Sequence, residues 1–263
     1  MRQLIVENVP DEAGNIVLSG KLYHYVIKVL RMQTGMTVPV LLPNMGLTDM
    51  CVQSVDTAQK KLILHCDASE YRPEQCSAPP FGYEIILLQW VLKGAKNDIV
   101  IRQAAEAGVH IIMPVSAEFS VAKKTAPLQQ ERHRRIIREA RQQSGSPIPT
   151  EIMAPAPLGT ALETVSALVP AQTTFLGVCC ESCAEYTGLH RALAARPSHI
   201  VLAIGAEGGI SPLEYEQLHK AGFQPIHFKT NILRAETAAL YAIAATQTIL
   251  NEAAEWQLPE YIC

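Results

Sequence analysis

Two short segments near the C-terminus combine residue types that can build a small-molecule site. Ile204-Gly205-Ala206-Glu207-Gly208-Gly209-Ile210-Ser211-Pro212 sets a carboxylate between glycines. Ile232-Leu233-Arg234-Ala235-Glu236-Thr237-Ala238 sets a permanently charged guanidinium before a run of small residues. Both read as loops that launch helices, with backbone N–H groups exposed beside a charged side chain. Such loops form a pocket from main chain and aim one functional group into it. The glycine segment lacks the G-x-G-x-x-G spacing of a dinucleotide site, and no Lys-Ser/Thr follows as in a P-loop. A tight turn alone would explain a bare Gly-Gly, but Glu207 between glycines is expected to contact something. For Arg234 two readings stand level: an ion pair with Glu236 or Glu207 at a helix start, or a fixed cation aimed into the pocket.

A third feature is a block of positive charge. Residues 145–263 hold five Lys or Arg against eleven Glu, whereas 1–144 hold 17 against 14 acids, and 123–141 alone hold seven against two. The net charge of −3 does not announce a nucleic-acid binder. A local basic face suffices for phosphate contacts, and five arginines within 131–141 suit planar phosphate or carboxylate contacts better than a merely solvated face. Lys93-Gly94-Ala95-Lys96 forms a second, smaller basic loop. His24 and Arg31 lie seven residues apart on an expected helix, hence on one face, either plain surface or an RNA-facing edge.

The elements that must position these residues fall into two patterns. Residues 16–18, 38–42, 50–55 and 61–66 read as short strands, with one helix over 21–32 between them, as in a small barrel crossed by a helix. Residues 71–82 carry Pro73, Pro79, Pro80 and Gly82 and mark the boundary, dividing the chain into domains 1–72 and 73–263. Beyond it, strands at 83–90, 109–115, 173–178, 200–204 and 225–228 alternate with helices at 98–107, 127–144, 212–221 and 237–256. That alternation implies an α/β domain with a mainly parallel sheet. Asp98 is a candidate cap for its helix, Gly108 and Gly145 are helix stops, and Ser211-Pro212-Leu213-Glu214 is a capping box with proline at the first helical position.

Seven cysteines in a chain of this size imply reduced thiols rather than a disulfide framework. Cys180 and Cys183 have C-x-x-C spacing with no second pair, so no metal is expected. No apolar run spans a membrane and the N-terminus has no signal-peptide stretch, so the expected location is cytoplasmic.

The ordered segments resemble the RsmE family of 16S rRNA uridine N3-methyltransferases. I-G-A-E-G-G-I-S at 204–211 is similar to its I-G-P-E-G-G-F-S, and I-L-R-A-E-T-A at 232–238 to its I-L-R-T-E-T-A. H-Y-V-I-K-V-L-R at 24–31, K-G-A-K-N-D-I-V-I-R-Q-A-A-E-A-G-V at 93–109 and E-A-R-Q-Q-S-G at 139–145 agree with further family segments. The resemblance implies a PUA-like β-barrel followed by a SPOUT methyltransferase domain with a C-terminal trefoil knot. It implies a homodimer using S-adenosyl-L-methionine on 16S rRNA of the small ribosomal subunit. By match, Leu176, Gly177, Ile204, Gly205, Gly208, Gly209, Ile232, Leu233, Thr237 and Ala238 would surround the cofactor. Arg234 and Glu207 would serve catalysis, with Arg234 stabilising the base anion and Glu207 orienting Arg234 or accepting the N3 proton. His24, Lys28, Arg31, Lys93, Arg134, Arg138 and Arg141 would meet RNA. Three departures stand out: Ala206 for Pro, Ile210 for Phe, and Phe228-Lys229-Thr230-Asn231 where the family has L-G-x-R. A non-catalytic RNA-binding protein with a decayed cofactor site is the alternative that the last departure raises.

Charge reversal at Arg134 and Arg138 is expected to weaken rRNA binding without altering cofactor affinity. An unchanged RNA affinity and salt slope would remove that helix from the interface.

Overall fold

The structure is a computed structural model that describes residues 3–43, 46–66, 81–116, 127–180 and 188–253. The chain divides into two compact units: Met1–Ala78 with Gln142–Pro147, and Pro79–Arg141 with Ile148–Cys263. The 71–82 linker lies mostly outside the described residues, as do Lys123, Lys124 and Cys183.

In the first unit five strands pair in the order β1-β3-β4-β5-β2: β1 (Leu4–Ile5), β2 (Asn15–Ser19), β3 (Thr37–Leu42), β4 (Gly46–Asp56) and β5 (Lys61–His65). Alternate residues Ile16 and Leu18, Val38 and Val40, Met50 and Val52, and Leu62 and Leu64 point inward to a common core. The single helix expected over 21–32 is in two parts. A short α-helix, α1 (Gly20–His24), widens into a π-helix over Tyr25–Val29, where Leu30 N donates to Tyr25 O at 2.9 Å. His24, Lys28 and Arg31 are all exposed. The argument from seven-residue spacing assumed α geometry throughout, and the wider turn removes that basis for a shared face. Gln142–Pro147 joins this unit through Gln3, whose backbone N donates to Gln142 O (3.3 Å) and whose Nε2 donates to Ser146 O (2.9 Å).

The second unit is α/β. Its sheet runs β12-β10-β11-β6-β7-β8, with β9 also on β7, and every pairing is parallel. The strands are β6 (Glu84–Trp90), β7 (Ile111–Ser116), β8 (Glu151–Ile152), β9 (Ala156–Pro157), β10 (Thr174–Cys179), β11 (His199–Ile204) and β12 (Gln224–Ile226). The helices are α2 (Lys96–Glu106), α3 (Pro127–Ser144), α4 (Leu158–Leu168), α5 (Leu189–Ala192), α6 (Pro212–Lys220) and α7 (Ala235–Ala253). Residues 85–88 and 200–203 are buried without interruption, as strands covered on both faces require. One face packs on Val100, Ile101, Ala104, Ile136, Ile137, Ala239 and Ile243, and the other on Leu158, Val165, Leu218 and Phe223. The short strands β8 and β9 and helices α4 and α5 had no sequence counterpart, being too brief or too evenly apolar to show a period.

Two caps turn out differently. Asp98 caps nothing: Ala95 precedes α2 without a side-chain cap, and the Asp98 carboxylate instead pairs with Arg132 on α3. The capping box of α6 is complete: Ser211 Oγ accepts from Glu214 N (3.2 Å) and Glu214 Oε2 accepts from Ser211 N (2.9 Å). Glu214 Oε1 also accepts from the buried Trp90 Nε1 at 2.9 Å, which fastens the start of α6 to the end of β6.

Among the described residues no helix is long and apolar enough to cross a membrane, and no group of three His, Cys, Asp or Glu residues could hold a metal ion.

Glu214→Ala removes the carboxylate half of the capping box and strands the buried Trp90 N–H, so it should cost about 2 kcal/mol in urea unfolding.

Candidate active site

The parallel strands set their carboxyl ends side by side, and a cavity of about 1400 Å³ opens beyond β10, β11 and β12. This is where open α/β sheets bind ligands. It is walled by the end of β10, the turn after β11 with the face of α6 that follows, β12 and the loop after it, and Lys96 at the start of α2.

The turn after β11 is closed by Gly209 N donating to Ala206 O at 2.9 Å, with Glu207 and Gly208 exposed at its corner. Two glycines make it feasible. A Cβ on Gly205 would lie 2.8 Å from Gly209 C and 2.9 Å from Ile210 Cγ1, while Gly209 holds φ +76°. The buried Gln89 steadies the turn's root, its Nε2 donating to Ile204 O (3.3 Å) and, more weakly, Gly205 O (3.4 Å). The capping box then fixes the exit.

The loop after β12 is stapled at both ends. His227 Nδ1 lies 3.1 Å from Cys180 O, and Phe228 meets Tyr241 of α7 edge to face with ring centroids 5.0 Å apart. At its far end Ala238 N donates to Arg234 O (2.8 Å), the first bond of α7. Between the staples, Ile232 is 80% exposed and Leu233 half-buried, an apolar wall facing the cavity. Lys229 sits at φ +49°, the left-handed region. That is the position at which the resembling family's L-G-x-R has glycine. The departure at 228–231 therefore places a side chain on a backbone conformation that favours glycine.

The charges arrange themselves around Lys96. Its ammonium at the start of α2 lies 3.0 Å from Glu207 Oε1 and 4.0 Å from Glu236 Oε2. Lys93 N also points to Glu207 Oε1, at 3.4 Å, and Asn97 shapes this loop by accepting from Leu92 N and donating to Leu92 O. Burial would raise the Glu207 carboxyl, but the Lys96 and backbone hydrogen bonds outweigh it and hold it below the usual carboxylate range. A carboxylate so held is a weak proton acceptor. Glu236 Oε2 is buried and has no hydrogen-bond partner among the described residues. The Arg234 guanidinium is exposed, lines the cavity, and makes no hydrogen bond or ion pair to any described residue. Both ion pairs weighed for Arg234 are thus replaced: Glu207 and Glu236 turn to Lys96, which sequence reasoning had noted only as part of a basic loop.

Of the residues matched to a cofactor site, Ile204, Gly205, Gly209, Ile232, Leu233 and Ala238 line the cavity together with Glu207 and Arg234. Leu176, Gly177, Gly208 and Thr237 are not among its lining residues. Leu176 and Gly177 lie within β10, and the strand reaches the cavity only at Cys179 and Cys180. Gly177 instead serves packing, since a Cβ there would come within 2.4 Å of Ile226 Cδ1. On α3, Arg134 and Arg138 are exposed, whereas Arg141 is half-buried and burial pushes its guanidinium down to about 10. Arg135 pairs with Glu139 at 3.8 Å.

The RNA methyltransferase domain family model matches residues 79–247. Ribosomal RNA small subunit methyltransferase E 2 of Borreliella burgdorferi is 28% identical over 275 residues, spanning 96% of this chain and 99% of its own. Ribosomal RNA small subunit methyltransferase E of Aquifex aeolicus is 31% identical over 163 residues, 61% of this chain and 67% of its own. The crystal structure of a ribosomal RNA small subunit methyltransferase E from Neisseria gonorrhoeae bound to S-adenosyl methionine aligns with a TM-score of 0.75 over 95% of this chain and 98% of its own, at 23% identity. That last likeness is one of fold.

If Lys229 carries left-handed strain for the sake of the loop, Lys229→Gly should leave unfolding stability within about 0.5 kcal/mol, and Lys229→Val should lower it by about 1–3 kcal/mol. Equal stability of the two variants would remove the strain.

The matched segment covers well over half the chain and contains every element that walls the cavity, so this protein belongs to the RNA methyltransferase domain family, alongside the ribosomal RNA small subunit methyltransferases E.

Proposed function

We propose that this chain transfers a methyl group from S-adenosylmethionine to N3 of a uridine in the 16S rRNA of the small ribosomal subunit. The observation that carries the reading is the unpaired Arg234 guanidinium in a large cavity walled by apolar side chains and a glycine turn. The cavity suits the cofactor. Ile204, Ile210, Ile232 and Leu233 offer apolar surface for an adenosine, and the open backbone of Gly209 admits close approach. When bound, S-adenosylmethionine supplies a methyl group on a positively charged sulfur.

The chain's residues do the rest. N3 of uridine is an imide nitrogen, nucleophilic once its proton is lost, and the resulting charge spreads to O2 and O4. Arg234 holds that charge with N–H donors that need no reorganisation and cannot itself take the proton. Glu207, kept ionised by Lys96 and the Lys93 backbone, fixes the turn rather than accepting the proton, which leaves for solvent. The stapled loops hold the reactants in line, which supplies much of the rate.

RNA binding falls to Arg134 and Arg138 on α3, to Lys93, to a less available Arg141, and to His24, Lys28 and Arg31 of the first unit. We assign that unit a PUA-like barrel and the second a SPOUT fold with a trefoil knot. Support for the knot is that β12 lies outside β10 while the next helix, α7, returns to pack on α2 and β6. A homodimer working in the cytoplasm completes the reading. The target base must leave its stack before N3 is reachable, which favours a loop or distorted helix.

Purified chain and cofactor should add one methyl group at uridine N3 to 16S rRNA or small subunits from a strain lacking this gene, read by mass spectrometry. Arg234→Ala should lower kcat about 10²–10³-fold with cofactor affinity by calorimetry unchanged. No methyl uptake by wild type, or no cofactor binding at millimolar concentration, would favour the decayed site, and a full rate in Arg234→Ala would remove its role.

A further inference from the structure

Two cations stand at helix starts in this site, where the helix macrodipole disfavours positive charge. Lys96 opens α2, and Arg234 directly precedes α7. They are the only Lys or Arg side chains among the described residues lining the cavity, but their surroundings differ sharply. Lys96 has two carboxylates, Glu207 at 3.0 Å and Glu236 at 4.0 Å, while Arg234 has none among the described residues. Yet Arg234 is the stronger competitor for a carboxylate, because its planar fork can bind both oxygens at once. Glu236 is only two residues away along the chain, and Glu207 lines the same cavity.

We infer that Lys96 is a positioning residue for Arg234, acting as a decoy cation that occupies Glu207 and Glu236 and so leaves the guanidinium available to the substrate. The inference deepens the function proposed above and rests on it. A purely structural role accounts poorly for the arrangement. The Lys96 and Glu207 side chains are 36% and 31% exposed, and ion pairs so exposed add little to stability. Glu236, by contrast, is 14% exposed with its Oε2 buried and lacking a hydrogen bond. A buried carboxylate that loses its cation leaves a costly uncompensated charge, which is relieved by protonation or by drawing in another cation. With Lys96 gone, that cation is Arg234, and the group meant for the uridine anion is spent within the protein.

The test uses the full chain in two arms. In the first, Lys96→Met and Lys96→Gln are assayed for methyl transfer to rRNA. Both should lower kcat by about tenfold or more with KM for the cofactor little changed, and Lys96→Arg should retain activity. Adding Glu207→Gln and Glu236→Gln to either variant should restore much of the lost kcat, since neither carboxylate that Lys96 held remains to capture Arg234. A further fall on adding them would overturn the inference, because a strut that loses its partners as well only weakens. The second arm does not depend on activity. Carbon NMR should find the Glu207 carboxyl titrating below the usual carboxylate range in wild type and still low in Lys96→Met, where Arg234 replaces the lysine. It should rise only in Lys96→Met with Arg234→Met, where the backbone hydrogen bonds alone remain to oppose burial. A rise in Lys96→Met alone would show that Arg234 does not move in, and would overturn the inference. A wild-type chain that transfers no methyl group sinks the proposed function instead and leaves this second arm intact.

Discussion

Lys96 stands at the first residue of a helix, where a cation is disfavoured by about 0.3–1 kcal/mol, and the loops of the cavity nonetheless converge on it. One ammonium meets Glu207 of the turn after β11 and Glu236 at the start of α7, thereby tying three segments far apart in sequence. Its consequence is a division of labour between two cations. Lys96 faces both acids, and Arg234 meets no partner among the described residues. Without that division the cavity would hold two neutralised ion pairs and no group to meet a developing anion.

The arrangement depends on how the second unit folds. Parallel pairing puts the carboxyl ends of β10, β11 and β12 on one edge, so the segments leaving them share a cavity. Each is then fixed by an interaction that a flexible loop would lack. Gly205 allows a backbone approach closer than any Cβ would permit, Gln89 holds the carbonyls at the turn's root, and Glu214 links the capping box to the buried Trp90. The loop after β12 has its aromatic staple at Phe228 and Tyr241. Rigid walls matter where catalysis is mostly positioning.

Much of this was legible in the residues. Buried strands announce themselves as unbroken apolar runs, so β6 and β11 were found with bounds near the observed ones, and Ser211 to Glu214 was read correctly as a capping box. Short elements were not legible: β8 and β9 have two residues each, too few for any period. The π-helical turn at Tyr25–Val29 also escaped, because its apolar spacing mimics an α-helix. Asp98 looked like a cap and proved to be a partner for Arg132, since a first-turn acid carries the same local signal in either role. At the site, the glycine turn and Arg234 were visible as types and spacing. The balance between ion pair and free cation was not, because the deciding residue, Lys96, lies 111 positions from Glu207. Long-range charge pairing leaves no trace in local sequence. The same holds for Lys229, whose left-handed backbone no local pattern announces.

The central claim is that Arg234 is held ready, unpaired in the resting protein and engaged only by the substrate. Nitrogen NMR of the Arg234 Nε–H group reports this directly, through its exchange with water and side-chain mobility. The expected result is a mobile, rapidly exchanging group in the free protein and with S-adenosylmethionine alone, becoming protected when a target RNA fragment is added. A group already rigid and protected in the free protein, or one that stays mobile with both cofactor and RNA bound, would contradict it.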